Sequence, residues 1–296
     1  MPSLSTFSIV AYDPAAAEWG VAVQSKFLAV GAIVPWARAG AGAVATQARG
    51  NATFGPRGLA MMADGMSARE ALDQLIAADD QPHHRQVGFV DARGETAGFT
   101  GSECLTWAGA LRGTHYVVQG NLLVNEATLE AMAEAFEEAT GELADRLVAA
   151  LLAGQSAGGD RRGQQSAALL VVRENGGYGG DDRYVDLRVD DAPQPIDRLK
   201  DLLYLHHLHF REPAPGDWSM IGGDLCRQLQ RLLRRLGRYE GPIDGDYNGP
   251  MGRALSAVVD RENLARRFRE ADGMIDEAVL PVLRKSLSVK PRRDGH

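Results

Sequence analysis

Three polar clusters interrupt otherwise apolar, strand-like runs, and each holds residue types suited to acyl transfer. The first brings together Thr6, Ser25 and Lys26, the second is Gln119-Gly120-Asn121, and the third is GGDRRGQQS, from Gly158 to Ser166. A hydroxyl is a weak nucleophile until a base takes its proton. A Thr beside a Lys at the facing ends of a hairpin meets that need, so Thr6 is the candidate nucleophile and Lys26 a candidate base. Gln119 and Asn121 flank a glycine and can donate N–H bonds to an oxyanion or a substrate carbonyl. Asp160, Arg161, Arg162, Gln165 and Ser166 lie in a Gly-bounded loop suited to holding a carboxylate or an amide, with Ser25 as a further contact. Ordinary structural roles compete with each assignment. Thr and Lys are common at strand ends, turn amides satisfy their own backbone, and the third cluster can be a helix C-cap and loop with an internal Asp-Arg ion pair.

The elements that must place these groups follow from hydrophobic period. TFSIVAY (6–12) and WGVAVQ (19–24) flank the turn-forming DPAAAE and predict an antiparallel hairpin. Position 6 then pairs with about position 25, which puts Thr6, Ser25 and Lys26 at the open end. Short Gly-rich strands follow over 30–48, then a helical stretch over 56–78 broken at Gly65, with Ser67 and Glu70 spaced as a capping box. Residues 87–101 alternate around Arg93-Gly94, 114–123 read as a strand, 126–153 as a long helical region, and two last strands flank GGYGG. Strand pairs alternating with helix pairs predict an α+β fold, a four-layer αββα sandwich. The polar DDAPQPID (190–197) ends the strands, and everything beyond it reads as helical. The predicted divisions are a domain over 1–192, a linker and helix over 193–220, a small all-α domain over 221–289 and a disordered tail over 290–296.

Composition narrows the function classes. With 296 residues, 45% hydrophobic and 24% charged, the chain can build one large and one small core. No apolar run is long enough for a membrane span and the start lacks a basic-then-apolar leader, so a soluble, cytoplasmic protein with no membrane association is expected. Cys104 and Cys226 lack CxxC spacing and read as structural thiols in a reducing compartment. Residues 1–195 carry −10 and residues 196–296 +3 of the net −7, a near balance in the second part that predicts no nucleic-acid partner. His206, His207 and His209 place only two rings on one helix face with no completing ligand. GAGA at 40–43 is not a phosphate-binding fingerprint, and His83-His84 falls in a polar loop. Neither a metal nor a cofactor is expected.

Whole motifs add a resemblance. TFSIVA, WGVAVQSKFLAVGAIVPWARAGAGAVATQA, FGPRG (54–58), RQVGFVD (85–91), QGN (119–121) and GGDRRGQQSAALLVV (158–172) together closely resemble an uncharacterised prokaryotic domain family, itself similar to the N-terminal-nucleophile (Ntn) hydrolases. The resemblance covers about residues 5–190 and implies the αββα fold, with Thr6 as nucleophile at the start of the first strand. It further implies that the α-amine of Thr6, whose ordinary pKa is about 7.7–8.0, is the base that drives hydrolysis of a small amide or peptide-like substrate. Removal of Met1 exposes Pro2, so a free Thr6 amine requires a cut between Ser5 and Thr6. Without that cut, Lys26 is the remaining base or the site is silent. Ntn-type sheets also imply a homodimer.

The second part resembles the small helical peptidoglycan-binding domain over residues 229–264, where Gly241, Ile243, Asp244 and Gly245 match its loop. Tyr247-Asn248-Gly249-Pro250 and Val259-Asp260 replace that family's aromatic-Gly and Phe-Gln. With no export signal, an interaction or dimer-packing role is expected rather than peptidoglycan binding. Two functions of different classes follow: an Ntn-type amidohydrolase, or a catalytically silent Ntn-fold protein that binds a ligand or partner and uses its C-terminal domain as an adaptor.

Overall fold

β-Branched and aromatic side chains make Thr6–Asp13 (β1) and Glu18–Ser25 (β2) a hairpin, paired from Thr6 opposite Ser25 to Asp13 opposite Glu18, which is the predicted register. The structure, a computed structural model, describes residues 6–286 and divides into two units, Met1–Leu203 and Tyr204–His296. The Ser5 side of the Ser5–Thr6 bond and the tail 290–296 lie outside the described residues.

The first unit continues with β3 (Pro35–Arg38), β4 (Gly42–Ala48), α1 (Phe54–Ala63), α2 (Ala68–Ala77), β5 (Arg85–Asp91) and β6 (Thr96–Thr100). Next come β7 (Gly109–Gly113), β8 (Tyr116–Asn121), α3 (Ala127–Glu138), α4 (Leu143–Ser156), β9 (Ser166–Val172), β10 (Arg183–Val189) and α5 (Pro195–Phe210), whose residues from Tyr204 on belong to the second unit. Six strands pair antiparallel in the order β10-β9-β2-β1-β8-β7 and four in the order β3-β4-β5-β6. The fold is therefore mixed α+β.

Side-chain alternation sorts the core into three apolar clusters. Phe7, Ile9 and Ala11 of β1 pack with Leu129 and Met132 of α3 and with Leu147 and Leu151 of α4. The other face of the same sheet gives Val10, Val21 and Val23, which meet Ala43, Ala45 and Val90 of the four-stranded sheet. That sheet's far face gives Val44, Val87 and Phe89, packed with Phe54, Leu59 and Met62 of α1 and Leu72 and Leu75 of α2. Close approach requires a glycine at Gly58, where a Cβ would lie 2.3 Å from the Phe89 ring.

The break at Gly65 and the Ser67–Glu70 capping box at the start of α2 are both present. The helical stretch over 126–153 is two helices, because Gly141 between them takes φ +106. The reading of the second unit as all helical is corrected. It holds three short strands, β11 (Trp218–Met220), β12 (Phe268–Arg269) and β13 (Met274–Asp276), in the order β11-β13-β12, beside α6 (Gly223–Arg235), α7 (Gly249–Arg261) and α8 (Leu280–Ser286). Strands of two or three residues are too short to register as alternation. Among the described residues no helix is long and apolar enough to cross a membrane.

A buried ion pair organises the second unit. Arg267 binds Asp276 at 2.6 Å, and its other N–H groups donate to the carbonyls of His207, Leu208 and Arg211, at and just past the end of α5. Removing one member strands the other charge away from water. Arg267→Ala is expected to cost about 3–5 kcal/mol in urea denaturation of the full chain, and Arg267→Ala with Asp276→Asn to recover part of the loss. Equal stability of Arg267→Ala and the parent chain would contradict this account.

Candidate functional site

The alternation of β1 turns Thr6, Ser8 and Val10 toward the four-stranded sheet, but only Val10 meets apolar neighbours there. The two polar positions enter a hydrogen-bonded network closed off from solvent. Thr6 Oγ1 donates to Ser25 Oγ at 3.2 Å, and Ser8 Oγ donates to Gln47 Oε1 at 2.6 Å. Gln47 Nε2 donates to Gln86 Oε1 at 2.8 Å and to the Thr6 carbonyl at 3.3 Å. Asn121 Nδ2 donates to the same Gln86 oxygen at 3.0 Å. Gln86 Nε2 in turn serves Thr100 Oγ1 and the carbonyls of Gly109 and Gly120 at 2.8–3.1 Å. Gln119 Nε2 donates to the Ala45 carbonyl at 3.0 Å and to Ser8 Oγ at 3.3 Å. Thr6, Ser8, Ser25, Gln47, Gln86, Gln119 and Asn121 are each 0% exposed.

The geometry follows from strand register. Thr6 pairs with Ser25 on one side and with Asn121 on the other, so β2 and β8 both deliver a polar residue to the first position of β1. β4 and β5 deliver Gln47 and Gln86 from the opposite sheet, where the two residues pair directly. Gly88 leaves the room that Gln119 needs, since a Cβ there would stand 3.3 Å from the amide. Gln119 Oε1 has no hydrogen-bond partner among the described residues.

The remaining predicted residues form a collar beside this network. Lys26 is exposed, and its ammonium donates to the Gln164 carbonyl at 3.0 Å. No hydrogen bond joins it to Thr6 among the described residues. The backbone N–H of Lys26 donates to Asp160 Oδ2 at 2.9 Å. Asp160 also closes on Arg162 as an ion pair at 3.0 Å, the structural alternative named for this loop. Gln165 points away to Asp191 at 3.1 Å. Ser166 Oγ donates to the Phe27 carbonyl at 2.5 Å and accepts from the Val30 N–H at 3.0 Å. The structure thus groups Thr6, Ser25, Gln119 and Asn121, whereas Asp160, Gln165 and Ser166 brace the backbone that follows β2. Both cysteines are free, and burial pushes each thiol above its ordinary value, so neither offers a ready thiolate.

Ser8, Gln47 and Gln86 were not singled out from the sequence. Their signal is an amide or hydroxyl set at an inward position of an apolar strand, as in VATQA and RQVGFV.

Comparison with known proteins begins at this same residue. The model of a family of unknown function, DUF1028, matches residues 6–199. The chain belongs to the DUF1028 family. It is similar to the crystal structure of protein SPO2555 from Silicibacter pomeroyi, a DUF1028 protein, with 31% sequence identity and a TM-score of 0.63. That match covers 76% of this chain and 93% of the other. Residues 209–283 of this DUF1028 protein match the model of a peptidoglycan binding domain. No curated protein matches the chain.

Gln86 joins more partners than any other member of the network, and a leucine there would orphan donors on Gln47 and Asn121 together with several acceptors. Gln86→Leu is expected to lower stability by about 2–4 kcal/mol in chemical denaturation, while Gln81→Leu, on an exposed turn, changes it by less than about 0.5 kcal/mol. Comparable effects from the two would show the network to be energetically idle.

Proposed function

We propose that the DUF1028 domain is an Ntn-type αββα fold and a latent amidohydrolase, with Thr6 as nucleophile once the Ser5–Thr6 bond is cut. One observation carries the reading: Thr6 occupies the first position of a strand inside its sheet, with its hydroxyl on Ser25 and its carbonyl on Gln47. The three successive apolar clusters, between helices and sheet, between sheets, and between sheet and helices, support the layering.

Cleavage turns the backbone nitrogen of Thr6 into an amine placed next to its own hydroxyl. That amine takes the hydroxyl proton as Oγ1 attacks the substrate carbonyl, and returns it to the departing amine. The acyl ester left on Thr6 is then released by water. Asn121, held in place by Gln86, is the side-chain amide proposed to face the oxyanion.

In the uncut chain no base is bonded to the Thr6 hydroxyl among the described residues, and the Lys26 ammonium is engaged with Gln164. This supports the second reading, a silent ligand- or partner-binding protein, for the uncut form alone. The small amide or peptide-like substrate and the adaptor role of the C-terminal domain remain part of the proposal.

The test uses the full chain cut to begin at Thr6, treated with a panel of acyl p-nitroanilides and followed by intact mass. An acyl adduct on Thr6 and release of nitroaniline are expected from the cut chain, and neither from the uncut chain or the Thr6→Ala variant. Because only the neutral amine is a base, the rate should rise with pH through a midpoint near 8 and level off above about 9. A cut, folded chain that stays unmodified across the panel would sink the assignment.

A further inference from the structure

Each strand that meets Thr6 ends next to an exposed cation, reached along the chain or through one backbone hydrogen bond. β2 brings Ser25 to the Thr6 hydroxyl and continues into Lys26. β4 brings Gln47 to the Thr6 carbonyl, and Arg49 follows two residues later. β8 brings Asn121 opposite Thr6, and the next residue, Leu122, accepts a backbone hydrogen bond from the Arg161 N–H at 3.0 Å. Lys26, Arg49 and Arg161 are all exposed. None of the three forms an ion pair among the described residues. The Lys26 ammonium and the Arg161 guanidinium reach only carbonyls, those of Gln164 and Leu123.

Two acids of this end are already paired with arginines. Asp160 holds Arg162 and Asp79 holds Arg85, while Asp191 accepts from Gln165 and Glu103 is exposed. Burial, then His83 and Arg49, push the His84 ring below its ordinary value, while Glu103 opposes them. Such a collar is the more telling because residues 1–195 carry a net −10. Three cations without an ion pair among the described residues, set about one strand end of an acidic domain, focus anions there.

Resting on the hydrolase reading of Thr6, we infer that the substrate is an amide bearing a carboxylate, of the N-acyl amino acid or acidic peptide class, with that carboxylate received by Lys26, Arg49 and Arg161. The scissile amide enters toward the neutral network while the carboxylate stays at the charged rim. A neutral interior and a cationic rim divide the two jobs. A nucleic acid would need a longer basic track than three side chains in an acidic domain.

The test is calorimetric titration of the full chain, uncut and cut at Thr6, the cut form carrying Thr6→Ala to prevent turnover. The ligands are a panel of N-acetyl amino acids, each free acid set against its carboxamide, with inorganic phosphate as a competitor. Free acids are expected to bind about tenfold more tightly than carboxamides, a preference that shrinks as salt is raised from about 0.05 to 0.5 M. Lys26→Gln, Arg49→Gln and Arg161→Gln, which alter exposed side chains, should each weaken the acids about two- to fivefold and leave the carboxamides unchanged. Acids and carboxamides binding alike, no binding by any of the panel, or phosphate displacing the acids at equal concentration would overturn the inference. The two readings fail separately. Turnover of neutral amides without acid preference removes the collar and keeps Thr6 chemistry, whereas acid preference with no Thr6 adduct keeps the collar and removes the chemistry.

Discussion

An amide side chain placed between two sheets has lost its water and must find other partners, at a cost of about 1–3 kcal/mol for each group left unmade. Here that constraint is met by reciprocity across the interface. Gln86, on β5, reaches the Gly109 and Gly120 carbonyls of β7 and β8, while Gln47, on β4, reaches Ser8 and Thr6 of β1. Apolar contacts such as Val10 with Ala43 and Val90 tolerate sliding, but a donor and its acceptor do not. The network therefore sets how the sheets register at this end, and with it the position of the Thr6 carbonyl and hydroxyl. The chemistry proposed for Thr6 depends on that fixed register more than on any single charged group.

The polar loop at 158–166 serves the same end by different means. Asp160 receives the Lys26 N–H and the Arg162 side chain, which anchors the chain just after β2, and Ser166 holds the segment from Phe27 to Val30. A carboxylate that looked available for substrate is thus spent on backbone. Lys26 and Arg161 stay at the surface with no acidic partner among the described residues. Framework and rim are consequently built from one short run of sequence.

Period and capping carried most of the first unit. The hairpin register, the break at Gly65 and the Ser67–Glu70 box are local, so neighbouring residues suffice to specify them. The partners of Thr6 at Ser25 and Asn121 were within reach for the same reason, one turn or one QGN motif away. Gln47 and Gln86 were not, because a single glutamine inside VATQA or RQVGFV reads only as an imperfect strand until the opposite sheet supplies its acceptors. β7 (GALRG) is a glycine-bounded strand with little apolar content, legible only beside β8. In the second unit, the short strands and the buried Arg267 escaped for a related reason, since an arginine in an Arg-rich stretch gives no sign that it faces inward.

Every member of the inter-sheet network is an alcohol or a carboxamide. None of these groups gains or loses a proton across the range where proteins work, so the interior has no acid–base state of its own to change. In the uncut chain, protonation events sensed at the Thr6 end must then originate at its border, and the lattice that holds the strands in place is the same in an acidic solution as in an alkaline one.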